Sequence, residues 1–437
     1  MTTVPLKNAW RPAAALALAL LVAAAIFYPA FGPGRVLFTT DDNIGAIASA
    51  KRLLSGCLPA LWNDSGFVGM PSGLATPNWT SLLAYVVSAA TFVNCVHALD
   101  LVAASVLLAL FLLRKANTAG ACVGMLAAFW LGSNLTLVYA GHVAKYGVLL
   151  FAALTVLLID RATARKPSVA GLVLAGAALG LMFLEQQDLA LFFGMFLGGY
   201  TVLRLWRAEG ASWPARLAAL IAMGIVALAI AGPTLLGSYF TNVKGVAAMN
   251  EERPEAKWEF CTQWSVPPDE TIDLLAPGYT GWRSGDPEGP YWGRTGQSAG
   301  WERTRQGFMN FRLESIYLGA IPLVFALFAV CAALFKRAPA SGLPNATTPG
   351  GSRPGSERRA EVLFWGATAL VALLLAYGKY FPLYALFYQL PLVNNIRNPN
   401  KFLQVFQLAV GILAAYGLDE ALRTRAAQGN SAGVRNS

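Results

Sequence analysis

Residues 7–42 read KNAWRPAAALALALLVAAAIFYPAFGPGRVLFTTDD: a basic start, an apolar run over 12–30, a Gly-Pro-Gly turn and two adjacent acids. About 20 mostly apolar residues cross a bilayer, so this stretch predicts a first transmembrane helix and sets a ruler for the rest. Lys7 and Arg11 ahead of the run give it the look of a signal peptide. The run has full spanning length, however, and Tyr28-Pro29-Ala30-Phe31 is a poor cleavage site, which predicts an uncleaved anchor.

The same ruler predicts further spans near 97–113, 119–139, 143–160, 168–185, 188–206, 216–236, 314–335, 361–377 and 402–420. Thr80 to Val93 is apolar but too short to cross alone, and predicts an interfacial or re-entrant helix. Composition agrees with a membrane protein. Of 437 residues 56% are hydrophobic and 13% charged, against about a quarter charged in soluble domains, and the mean hydropathy is +0.50. The expected fold is an all-α polytopic membrane protein of about ten transmembrane helices, one membrane domain over 1–437.

The net charge of +10 does not imply nucleic acid, because the bases sit in short clusters between apolar runs rather than on one basic domain. With the N-terminus in the cytoplasm, Lys7/Arg11, Arg114/Lys115, Arg161/Arg165/Lys166, Arg204/Arg207/Arg216, Lys336 to Arg359 and Arg423/Arg425/Arg435 all fall inside. That is the asymmetry membrane insertion imposes, and it predicts that both termini are cytoplasmic. Five cysteines without CxxC spacing and only two histidines argue against a zinc or iron–sulfur centre. Cys57 and Cys261 would share the outer face and could pair there; unpaired small apolar residues are the plainer reading.

Two outer loops are large. The first, 31–96, carries Asp41 and Asp42 and then an amphipathic stretch with Ile44, Ile47, Ala48 and Leu54 on one face and Lys51 placed to snorkel. The second, 237–312, is rich in Gly, Pro and Trp; its aromatic residues would stack on sugar rings, or form an aromatic belt or local mini-core. Residues 338–360 and 424–437 have the composition of a disordered cytoplasmic linker and tail.

Ionisable groups at or within spans cost about 2.5–3.5 kcal/mol near the bilayer centre, so each one asks for a reason. His142 and Lys145 occupy the tight corner after Gly141, and Glu185, Gln187 and Asp188 the next outer corner. Arg397 and Lys401 precede the last span, where a helix N-terminus and paired bases suit a phosphate. Solvated corners and snorkelling anchors are the bland alternatives. What lifts Asp41 and Asp42 above a pair of loop acids is that these groups all converge on one expected face.

The chemistry that fits is transfer of a sugar from a lipid phosphate. Asp41 or Asp42 would take the proton of an acceptor hydroxyl attacking the anomeric carbon, and Lys145, Arg397 and Lys401 would hold the departing phosphate. His142, Glu185, Gln187 and Asp188 would orient donor or acceptor. A divalent Mg or Mn ion at Asp41 and Asp42 is allowed but not required.

The first span, the Thr-Thr-Asp41-Asp42 loop, Leu61-Trp62-Asn63 running to Gly69-Met70-Pro71, the Gly141-His142-Val143-Ala144-Lys145 corner and Arg397-Asn398-Pro399-Asn400-Lys401-Phe402 together resemble the bacterial YfhO-like membrane proteins, of the GT-C superfamily of glycosyltransferases. The likeness extends to Pro267 to Gly278 and Tyr291-Trp292-Gly293. It implies a polyprenyl-phosphate sugar donor, a glycan, lipid or protein acceptor, a site on the periplasmic face of the bacterial inner membrane, and a catalytic acid at Asp41 or Asp42. Members of that family often carry an outer C-terminal domain, so the resemblance leaves acceptor recognition open, and a separate partner could supply it. A transporter or flippase of lipid-linked saccharide, or a non-catalytic membrane scaffold, are the competing readings.

Overall fold

The computed structural model describes residues 9–41, 44–45, 47–49, 62–63, 70–71, 78–240, 244, 253–284, 288–312, 315–335 and 354–435. The first helix, α1 (Trp10–Phe27), runs into a short 3-10 turn. Trp62–Asn63 (β1) and Met70–Pro71 (β2) pair antiparallel, and everything else regular is helical. The chain continues through α2 (Trp79–Val86), α3 (Ala89–Leu112), α4 (Thr118–Phe129), α5 (Gly132–Ala140), α6 (Val143–Ala162), α7 (Val169–Glu185), α8 (Gln187–Arg207) and α9 (Trp213–Ser238). Then come α10 (Pro254–Thr262), α11 (Trp301–Thr304), α12 (Ala320–Phe335), α13 (Pro354–Ala376), α14 (Pro382–Tyr388) and α15 (Phe402–Arg435).

Among the described residues eight helical segments are long and apolar enough to cross a membrane, and α7 and α12 are shorter apolar helices. The chain is a multi-pass helical membrane protein. Polar side chains close the helix starts where the apolar runs begin: Ser88, Asn117 and Ser168 accept from the backbone N–H groups of Thr91, Gly120 and Gly171, each satisfying a donor that lipid could not.

Several boundaries differ from the expected ones. The second span starts at Ala89 rather than 97, because the Ser88 cap begins a helix that absorbs the second half of the Thr80–Val93 segment. Only Trp79–Val86 remains as a separate short helix, opened by a reciprocal cap between Asn78 and Ser81. Helical structure also covers 354–360 and 424–435, where composition predicts linker and tail. In the first of these segments tertiary pairing contributes what composition lacks: Arg358 in the first turns of α13 holds Asp419 of α15 at 2.7 Å. The eighth expected span, 314–335, is helical from Ala320. Of the expected amphipathic stretch, 44–45 and 47–49 are helical, and Ile47 is buried against Ala84, Phe92, Val93 and Val143. Leu54, Lys51, Cys57 and Asp42 lie outside the described residues. Cys261 is a free, buried thiol.

The centre of the bundle is α15, 94% buried over its spanning window, whereas α1 and α9 turn most of their surface outward at 28% and 22%. α15 packs against α4, α12 and α13, and α6 against α3 and α7. Gly124 of α4 and Gly411 of α15 let two backbones meet: a Cβ at Gly124 would fall 2.7 Å from the Gly411 carbonyl oxygen. Close approach through small residues is how helices gain contact in lipid, where burial of apolar surface gives no advantage.

Charge is sorted along the bundle. At one end Lys115 contacts both Asp160 (2.7 Å) and Glu361 (2.8 Å), Arg114 reaches Asp160 (2.6 Å), and Arg204 pairs with Glu361. Arg11 donates there to the Ala116 carbonyl (2.9 Å). These are the groups expected to share one membrane face. The opposite end carries Asp41, His142, Asp188 and Lys401.

Candidate functional site

Asp41 reaches its position through the backbone. Asn94 of α3 accepts from Leu37 N–H (2.8 Å) and donates to the carbonyls of Ala30 and Arg35, tying down the strand-like segment after α1. Thr40 and Asp41 then donate their N–H groups to the Tyr139 and Ala140 carbonyls, at 3.1 and 3.0 Å, the free C-terminal acceptors of α5. Gly141, at φ 82°, ends α5 and turns the chain back into α6, a left-handed conformation that glycine adopts without strain. His142 therefore sits at the head of α6 with Nε2 2.9 Å from Asp41 Oδ2, and Lys145 follows one turn on, 8% exposed.

The second large loop folds over this corner. Asn398 and Asn400 donate their N–H groups to the carbonyls of Cys261 (3.0 Å) and Trp264 (3.1 Å), and Lys257 Nζ donates to Asn395 Oδ1 (2.9 Å). Segments 257–264 and 395–400 are thus bound together above α15. Arg312 is held by Asp273 at 2.6 Å, and Trp264 and Phe311 meet edge to face with ring centres 5.6 Å apart. Burial and the neighbouring Glu270 carboxylate push the Tyr291 hydroxyl of this loop upward in pKa.

Between loop and bundle lies a cavity of about 560 Å³. Among the described residues lining it are four cations, Lys145, Arg283, Arg312 and Lys401, and one carboxylate, Asp41. His142, Trp264 and Phe311 also line it, and its walls reach Ser133 of α5 and Gln404 and Gln407 of α15. Asp41 is at the exposed rim, its side chain 65% accessible.

Four of the sequence-predicted residues therefore meet in one cavity: Asp41, His142, Lys145 and Lys401. The others are arranged differently. Asp188 is not among the cavity residues; it forms an ion pair with Lys401, and Gln186 donates to its other oxygen at 2.9 Å. Glu185 is buried and turned to α2, accepting from Thr80 Oγ1 (2.5 Å) and Thr80 N–H (3.3 Å). Gln187, half-buried at the start of α8, is not among the cavity residues. Arg397 is also turned away; its guanidinium lies 3.8 Å from the centre of the Phe260 ring, and burial there lowers its pKa. Asp42 lies outside the described residues, and so does half of the expected Asp41/Asp42 metal site. Among the described residues no three His, Cys, Asp or Glu side chains come together as ligands.

The sequence reading missed Arg283, Ser284 and Arg312, whose loop positions carry no spacing signal, and Gln404 and Gln407. The glutamines did leave a signal. They are three residues apart within an otherwise apolar span, hence on one helix face. A search for charges alone passes over them, as it does over Asn134 in α5. His97 and Asp100, fully buried in α3, fall inside a predicted span without a role; Trp79 Nε1 donates to Asp100 at 2.9 Å.

No protein-family model, curated protein or solved structure matches the chain.

Proposed function

We propose that the chain is an inverting glycosyltransferase of the GT-C type, moving a sugar from a polyprenyl-phosphate donor to a cell-envelope glycan, lipid or protein acceptor on the periplasmic face of the bacterial inner membrane. The observation that carries this reading is the lining of one cavity by four cations, a rim carboxylate bonded to an imidazole, and the aromatic residues Tyr139, Trp264 and Phe311, between a bundle of apolar helices and the loop over it. Basic groups gathered at one site suit a lipid phosphate at the membrane surface, with Lys401 and Arg312 already oriented by Asp188 and Asp273. The resemblance to YfhO-like proteins points to the same donor.

In this reading the acceptor oxygen attacks the anomeric carbon as the bond from that carbon to the phosphate oxygen breaks. Asp41, oriented by His142, takes the acceptor proton. Lys145, Lys401, Arg283 and Arg312 stabilise the phosphate as it leaves. A Mg or Mn ion, if used, would draw on Asp41 and phosphate oxygens. The test is sugar transfer from a panel of polyprenyl-phosphate sugars by the purified full chain in lipid discs, comparing wild type with Asp41→Asn and with Asp41→Asn/Asp42→Asn. Full transfer in the double variant removes the carboxylate mechanism.

One feature favours the alternative of a flippase for lipid-linked saccharide. The span from Thr118 to Ala140 is interrupted at Trp130 and Leu131, halfway along, beside Ser133 and Asn134, and broken helices with polar groups at depth are common in transporters. Movement of labelled donor across sealed proteoliposomes without any transfer would favour that reading over the enzyme.

A further inference from the structure

The cavity floor has an unusual polar inventory. Ser133 lies about 12 Å along the helix from Gly141 at about 1.5 Å per residue, and faces Gln404 and Gln407 of the most buried helix in the bundle. These two amides are 7% and 2% exposed. Asn134 Nδ2 donates to the Phe129 carbonyl freed by the helix break (3.0 Å), so Asn134 Oδ1 is the atom left to accept from Gln404 Nε2 at 3.4 Å. That fixes the Gln404 amide and leaves its Oε1 without a partner. Gln407 Nε2 donates to Ser133 Oγ at 2.6 Å, and its Oε1 is likewise unpartnered. Turning the Gln407 amide over would only exchange which end is left alone.

A buried amide end without a partner costs about 1–3 kcal/mol, and here two amides on one helix face, both of residues that line the cavity, each leave one end unpartnered. They call for a ligand that supplies a donor to Gln404 Oε1 and meets the open end of Gln407, an acceptor or a donor according to how that amide is turned. Ser133, Gln404, Gln407 and their apolar neighbours Leu137 and Leu403 are uncharged, so an anion would lose its hydration there without compensation. The cations instead come from the segment ends and the loop, at Lys145, Lys401, Arg283 and Arg312.

We infer that Gln404, Gln407 and Ser133 form a subsite for the hydroxyl groups of a sugar ring, with the anionic part of the same ligand held by the cations. A ring hydroxyl both donates and accepts, so it can satisfy both amide ends whichever way Gln407 is turned, as a lipid tail or phosphate oxygen cannot. The two glutamines then determine which sugar is accepted, since a site built to bond a hydroxyl rejects an analogue lacking it far more strongly than an apolar pocket rejects an extra group. The inference rests on the donor reading above only for the physiological ligand.

The test uses two probes on the purified full chain in lipid discs. Methyl glycosides of several common sugars, followed by saturation-transfer NMR, report the floor. Sugar-free polyprenyl phosphate, followed by its shift of thermal unfolding, reports the cationic part. At least one glycoside should bind wild type and do so roughly three- to tenfold more weakly in Gln404→Met and in Gln407→Met. Both variants should keep wild-type response to polyprenyl phosphate, which also shows that they are folded. Absence of glycoside binding to wild type, or undiminished binding in Gln404→Met/Gln407→Met, overturns the subsite. Failure of wild type to bind polyprenyl phosphate, with glycoside binding sensitive to the glutamines, overturns the donor reading and leaves the sugar subsite standing.

Discussion

His142 Nε2 and Asp41 Oδ2 lie 2.9 Å apart although 101 residues separate them in the chain. The contact follows from two backbone bonds of residues 40–41 to the end of α5 and from the turn at Gly141. With 36% and 65% of the two side chains accessible, so exposed a pair adds little to stability. Its placement at the rim of a cation-lined cavity is what the proposed chemistry draws on.

Asp41→Asn should lower sugar transfer by about 10²–10⁴-fold, the range expected for loss of a general base, with the unfolding temperature essentially unchanged. His142→Gln, which removes an orienting partner, should cost less. The comparison is made by radiolabel transfer and thermal unfolding on the same preparations. Equal loss of folding and activity in Asp41→Asn would assign the residue a structural role.

Lys401 and Asp188 stabilise one another across α8 and the start of α15. Lys401→Met should destabilise the protein by about 1–3 kcal/mol, the cost of leaving a partly buried charge without its partner. Lys401→Met/Asp188→Asn should recover most of that loss. If the double variant is no more stable than the single one in detergent melts, the pair does not matter to folding.

Glu361 is the meeting point of Lys115, Arg204 and the Tyr416 hydroxyl, which donates to its Oε2. Glu361→Ala would leave buried bases with Asp160 alone, and a loss on the order of 3 kcal/mol follows. Glu361→Gln, which keeps an acceptor, should lose less. The order of the two unfolding midpoints checks this, and a reversed order would be inconsistent with an ionic clamp.

Small-residue packing predicts opposite outcomes for two chemically identical changes. Gly124→Ala would push a methyl to 2.7 Å from the Gly411 carbonyl and the Leu112 side chain, while a Cβ at Gly224 meets nothing within 4 Å. The first should cost about 1–3 kcal/mol by overpacking; the second should be neutral or gain up to about 1 kcal/mol of helix propensity. Proteolysis of detergent-solubilised variants ranks them.

Arg35 and Ser356, both exposed, are at opposite ends of the bundle. Single cysteines there, in a background without native cysteines, should react with a membrane-impermeant thiol reagent from opposite sides, Arg35→Cys from the side proposed to be periplasmic. Labelling of both from one side would contradict the bundle.

The spans were legible because a helix in lipid must satisfy its own backbone, so each needs a long apolar run that stands out in one dimension. Boundaries were less so. The start of α3 at Ala89 depends on the Ser88 cap, and the early start of α13 on Arg358 meeting Asp419, which is a tertiary contact. In the site, Asp41, His142, Lys145 and Lys401 stood out as polar groups at the ends of apolar runs. Arg283 and Arg312 did not, because in a loop rich in polar residues nothing local distinguishes a cavity-lining side chain from a solvated one.

By itself the sequence determined that this is a multi-pass helical membrane protein, where most of its helices run, and which basic clusters share an end. Those properties follow from the length of apolar runs and the spacing of charge between them. Only the tertiary structure decided which charges meet. It turned Glu185 to Thr80, gave Asp188 to Lys401, laid Arg397 on Phe260, and brought Gln404 and Gln407 into the cavity that Asp41 also lines. Side-chain direction at a helix end depends on how neighbouring helices are rotated and how loops close over them, and neither is encoded in the local pattern.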